Sequence, residues 1–155
     1  QQDEYNIIYI NNPSEEMKLE ALKNSGNIIQ YINNPTEEMQ LKAVKSNGYA
    51  IQYINNPTEE MKLVAVRQKG YAIEYIDNPS EKVKIEAIKE NPYAIQYISN
   101  PSEKLQLFAV KQNPLSIIDI KDPTEKILQE AVKGFTLSID SGHVLRHIEN
   151  DLKEE

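Results

Sequence analysis

The chain of 155 residues is 39% hydrophobic and 26% charged, which suits one soluble, ordered domain with a core of its own. It has no cysteine, which excludes disulfides, thiolate metal sites, cysteine nucleophiles and redox dithiols, and which suits a reducing, cytoplasmic setting. The net charge of −7 sits largely in the two ends: residues 13–122 hold 15 acidic and 13 basic side chains, a near balance that argues against a nucleic-acid or membrane surface.

No apolar run approaches the roughly 18 to 20 residues that a membrane span needs, and no signal peptide is visible. The chain begins at Gln1, without Met and in mid-repeat, which reads as a processed or trimmed chain and leads us to expect further sequence, such as further repeats, upstream in the natural protein.

Pro13, Pro35, Pro57, Pro79, Pro101 and Pro123 lie 22 residues apart, and each opens a similar block. The second and third blocks, PTEEMQLKAVKSNGYAIQYINN and PTEEMKLVAVRQKGYAIEYIDN, agree at 15 of 22 positions. The expected organisation is one repeat domain over 1–155. A half-repeat at 5–12 is followed by repeats 1 to 6 at 13–34, 35–56, 57–78, 79–100, 101–122 and 123–140, then a C-terminal cap at 141–155. Positions within a repeat are counted below from its proline.

Positions 1 to 12 read as a helix. Asn before Pro, with Glu at position 3, predicts a capping box with Asn as N-cap, Pro at N1 and Glu at N3. Glu15, Glu37, Glu59, Glu81, Glu103 and Glu125 fill position 3, and Lys23, Lys45, Arg67, Lys89, Lys111 and Lys133 fill position 11. Acid in the first turn and base in the last complement the helix dipole. Position 9 is always Ala, so a close helix approach is expected there. Position 6 (Lys18, Gln40, Lys62, Lys84, Gln106, Leu128) falls between two apolar strips, where a snorkelling stem is one reading.

Position 14 is Gly26, Gly48 and Gly70, then Pro92 and Pro114. Pro fixes φ near −65°, so a left-handed helix cap is excluded in those repeats. The expectation is that Asn at position 13 (Asn47, Asn91, Asn113) ends the first helix and caps a second, YAIQYI. That second helix is about two turns long and needs packing to be stable. One helix pair cannot bury its own apolar faces; stacked pairs can. The predicted fold is an all-α solenoid of 22-residue two-helix repeats, one longer and one short helix in each, forming a rod or gentle arc. In the tail, Val144, Leu145 and Ile148 make one apolar stripe of a C-terminal cap helix.

The phrases AVKSNGYAIQYI and AIKENPYAIQYI, and the NPSEK turn, resemble the short tandem helical repeats of uncharacterised bacterial and phage-type proteins, with their AVxxNGxAxxYA phrase. They are also similar to the HEAT-like variant leucine-rich repeat, which alternates a longer helix with a short or 3₁₀ helix. The resemblance covers residues 5 to 140. It implies a helical solenoid and macromolecular recognition, in a phage or bacterial setting.

Chemistry is sparse. His143 and His147, at i and i+4, have a spacing that can chelate a metal, with Asp140 or Glu149 as a carboxylate; the expectation is that they hold none. Repeated acid pairs at helix starts read as capping, because an active site occurs once. The expected protein is not an enzyme, has no catalytic residue, cofactor, metal or small-molecule substrate, and binds a protein partner. The alternative is phosphate-backbone binding by the basic ladder at position 11.

Tyr5, Tyr49, Tyr71 and Tyr93 (position 15) and Tyr9, Tyr31, Tyr53, Tyr75 and Tyr97 (position 19) form two columns, which are expected to lie in the core. Partner contacts are expected on the short helices, at Gln30, Gln52, Glu74, Gln96, Ile118 and Asp140 (position 18). Asn33, Asn55, Asp77, Ser99 and Lys121 (position 21) extend that surface. The rival surface is the outer arc, where Val64 and Phe108 interrupt a polar column at position 8.

Overall fold

A computed structural model describes residues 6–140. The expected C-terminal cap at 141–155, with His143 and His147, lies outside the described residues. Every described element is helical. The long helices are α1 (Glu15–Asn24), α2 (Glu37–Ser46), α3 (Glu59–Gln68), α4 (Glu81–Glu90), α5 (Glu103–Gln112) and α6 (Glu125–Asp140). After each of α1 to α5 comes a 3₁₀ helix: Gly26–Tyr31, Gly48–Tyr53, Gly70–Tyr75, Pro92–Tyr97 and Pro114–Asp119. A further one, Asn6–Tyr9, precedes α1. The principal contacts join elements of the same or adjacent repeats. This is an α-solenoid.

The N-cap falls two residues later than the sequence reading places it. Ser14, Thr36, Thr58, Ser80 and Ser102 at position 2 are the caps, each hydroxyl accepting from the position 5 N–H at 3.2 to 3.3 Å. Asn at the end of each repeat has another task. Asn12, Asn34, Asn56, Asn78 and Asn100, with Asp122, have φ between 47° and 54°. Asn and Asp enter the left-handed region at less cost than other side chains. The Asn-Pro pair is therefore the reversal between repeats, and the Glu at position 3 is the first helical residue rather than a box partner.

The reading of position 13 holds. Asn47, Asn91 and Asn113 end their α-helices, each cap N–H bonding to the position 9 carbonyl. Each side-chain oxygen then accepts from the position 15 N–H at 3.0 to 3.1 Å and starts the 3₁₀ helix. The amide also reaches the preceding repeat: Asn47 Nδ2 donates to Asn27 Oδ1 at 3.0 Å and Asn113 Nδ2 to the Tyr93 hydroxyl at 3.2 Å.

The core is one continuous cluster along the array. Its central members come from position 5 (Met39, Met61, Val83, Leu105), position 9 (Ala43, Ala65, Ala87, Ala109), position 10 (Val44, Val66, Ile88, Val110) and position 17 (Ile51, Ile73, Ile95), all at most 2% exposed. Position 9 is where backbones meet. A Cβ added at Gly48 would lie 2.7 Å from the Ala65 carbonyl oxygen of the next repeat, and one at Gly70 would lie 2.6 Å from that of Ala87. Glycine at 48 and 70 thus serves close approach and not a positive φ. Pro92 and Pro114, at the same position, also rule out a positive φ but carry a Cβ, so the need for glycine belongs to the earlier repeats and not to the whole array.

Position 12 fastens the same seam. Gln68 Nε2 donates to the Lys45 carbonyl at 2.9 Å while its Oε1 accepts from the Gly48 N–H. Glu90 accepts from the Gly70 N–H in the same way.

Position 16 shows one misfit. It is Ala in repeats 2 to 4 and fully buried Ser116 in repeat 5, whose Oγ has no hydrogen-bond partner. A buried hydroxyl without a partner is destabilising. Ser116→Ala is expected to raise stability by about 1 to 2 kcal/mol, measured by chemical denaturation. No gain would show that the hydroxyl is bonded in solution.

Candidate functional site

The 3₁₀ helices turn positions 14, 16, 17 and 20 inward and leave 18, 19 and 21 outside. All the sequence-predicted residues of this face that the structure describes are exposed: Gln30, Gln52, Glu74, Gln96 and Ile118 at position 18, and Asn33, Asn55 and Asp77 at position 21. Ile118 is 75% exposed. The side chain of Asp140 lies outside the described residues.

The glutamines are not loose. Gln30, Gln52 and Gln96 each donate through Nε2 to the position 15 carbonyl of their own 3₁₀ helix, at 2.9 to 3.0 Å. That bond fixes the side chain against the helix and leaves an exposed carboxamide oxygen as an acceptor.

The tyrosines divide, against the expectation that both columns are core. Tyr49, Tyr71 and Tyr93 at position 15 are half-buried, and Tyr49 and Tyr71 pack on the core. Tyr31, Tyr53, Tyr75 and Tyr97 at position 19 are 36 to 55% exposed. Rings of adjacent repeats meet edge to face: Tyr49 with Tyr75 at 6.2 Å and Tyr71 with Tyr97 at 5.6 Å between centroids. Burial, and then the neighbouring Tyr75 and Glu90, push the Tyr49 hydroxyl above its usual pKa. Desolvation, and then Glu74, do the same for Tyr97. These hydroxyls are neutral donors at physiological pH.

Between successive 3₁₀ helices the surface is hollowed. One hollow is lined by Lys18, Tyr31 and Asn33; a second by Gln52, Asn55, Lys62, Tyr75 and Asp77; a third by Glu74, Asp77, Lys84, Tyr97 and Ser99. Each contains a lysine from position 6, which accounts for that position. The half-buried lysine stem lies along the hollow while its ammonium finds a partner: Glu15 for Lys18 at 2.8 Å, the Asp77 carbonyl for Lys62 at 3.5 Å, Glu81 for Lys84 at 3.8 Å. Where position 6 is Gln, the amide folds back instead, Gln40 onto the Pro35 carbonyl and Gln106 onto that of Pro101.

The position 19 rings are a surface feature that the sequence does not announce outright, whereas the position 6 lysines follow the snorkelling reading. The signal for the rings lay in Gln, Asn, Asp and Ser at positions 18 and 21, which flank position 19 and mark that side as wet.

On the outer face, Val64 and Phe108 are half-buried and pack against the core rather than standing free. The basic ladder is partly engaged: Lys23 pairs with Glu20 at 3.3 Å and Arg67 with Glu86 at 2.6 Å. Among the described residues no group of three or more His, Asp or Glu is placed to hold a metal, and no helix is long and apolar enough to cross a membrane.

A family model described as a domain of unknown function (DUF4116) matches residues 14–61 and again residues 36–79. The two matches start one repeat apart and together cover repeats 1 to 3, over which the chain is similar to that family. No curated protein and no solved structure matches the chain.

Proposed function

We propose that the chain is a non-enzymatic scaffold that binds a protein partner along its short-helix face. The observation that carries this reading is the exposed column of tyrosine rings, one per repeat from Tyr31 to Tyr97, set among outward carboxamides. Two of these rings are held by edge contacts with the preceding repeat. Fixed aromatic and amide side chains lose little freedom when a partner lands on them. The framework positions repeat while 18 and 21 vary, so neighbouring repeats present different contacts to one long partner.

Phosphate-backbone binding has weaker support, because Lys23 and Arg67 already neutralise carboxylates of the chain.

The test captures partners from the native host on the wild-type chain and on two folded variants. Gln52→Ala/Glu74→Ala/Gln96→Ala is expected to lose a protein partner that Val64→Ser/Phe108→Ser keeps. If only the second variant loses it, the short-helix assignment is wrong. Binding to heparin or DNA that falls with salt would support the ladder instead.

A further inference from the structure

The outer surface carries a second feature, independent of the short-helix face. Along the seam between α3 and α4, Arg67 at position 11 bonds Glu86 at position 8 of the next repeat, Nε to Oε2 at 2.6 Å. The guanidinium holds the Glu86 carboxyl below its usual pKa. The next seam has the equivalent cation, Lys89, but position 8 of α5 is Phe108, so no carboxylate closes it.

A groove of about 660 Å³ opens there across α4, α5 and the start of α6. Its apolar wall is Ile85, Leu105, Leu107 and Phe108. The two acids at its rim are already engaged, Glu81 with Lys84 at 3.8 Å and Glu103 with Lys126 at 2.8 Å. Lys104 and Lys111 also line the groove, and among the described residues neither has a carboxylate within ion-pair distance. The uncompensated charge around the apolar floor is therefore positive.

We propose that this groove receives an amphipathic helix of a partner protein, apolar along one stripe and acidic beside it. The groove runs over ridges of packed helices, whose side-chain rows accept another helix. A strand has nothing to pair with here, because the backbone groups of α4 and α5 are spent within their helices. Acidic flanks place carboxylates beside Lys104 and Lys111, where the charge sets orientation and selects against basic helices.

The probe is a display library of amphipathic helices, with apolar residues fixed at i, i+3, i+4 and i+7 and flanks drawn from Glu, Lys and Gln. It is selected against the full chain. Enriched peptides are expected to carry Glu flanks and to lose about tenfold or more in affinity on Phe108→Ser. The surface variant Lys104→Glu/Lys111→Glu, which leaves the apolar wall intact, is expected to reverse the preference toward Lys flanks. Absence of enrichment, enrichment without charge bias, or affinity unchanged in both variants would overturn the proposal. Self-association that Phe108→Ser abolishes would assign the groove to a second copy of the chain and overturn it too. Because the readout is a helical peptide on the outer face, failure here leaves the short-helix reading standing.

Discussion

Ile73→Ala is expected to lower stability by about 2 to 5 kcal/mol, the range for deleting most of a fully buried aliphatic side chain. Ile73 is 1% exposed at the centre of the 3₁₀ helix Gly70–Tyr75. A six-residue 3₁₀ helix has no stability of its own, and this one is held by α3, α4 and the 3₁₀ helices on either side. Since the main contacts are between nearest neighbours, weakening repeat 3 also weakens the coupling between the two ends of the array. Urea unfolding is therefore expected to show a lower midpoint and a broader transition. A loss within about 0.5 kcal/mol, the range of ordinary surface substitutions, would show that the short helices are not the core described here.

Ala87→Leu should act in the opposite sense, by overfilling. Ala87 is fully buried, and its carbonyl lies against Gly70 of the preceding repeat. Three added carbons at this seam force α4 away from that short helix, at a cost of about 1 to 3 kcal/mol. The Glu90 bond to the Gly70 N–H spans the same seam and is lost with it. Thermal melts that coincide with the wild type would show that position 9 is not a close approach.

Most of the architecture is legible because the repeat averages out local ambiguity. Six prolines in register give the period, six alanines mark the close approach, and Asn47, Asn91 and Asn113 mark the break between helices. The cap is ambiguous in the sequence because Asn, Ser and Thr are all good N-cap residues and two of them stand beside the same proline. A pattern cannot show that Asn34 has a positive φ, which is what hands the cap to Thr36. The exposure of the position 19 tyrosines is hidden in the sequence because an aromatic at helical spacing reads as core. In a 3₁₀ helix the turn is three residues, and the buried set becomes 14, 17 and 20 with 16, which leaves Tyr75 outside. The groove at Phe108 depends on a partner from another repeat. Phe108 is conspicuous in the sequence, but that it stands where the neighbouring seam has an Arg67–Glu86 pair is visible only once α3, α4 and α5 are stacked.

A protein partner lying across the exposed tyrosines would be within reach of a photo-cross-linker placed among them. A benzophenone amino acid is placed at Tyr75 in one sample and at Lys45 in another, and the full chain is irradiated with the captured partner. A covalent adduct with the partner is expected from position 75 and none from position 45. Adducts from position 45 with none from position 75 would contradict this placement of the partner.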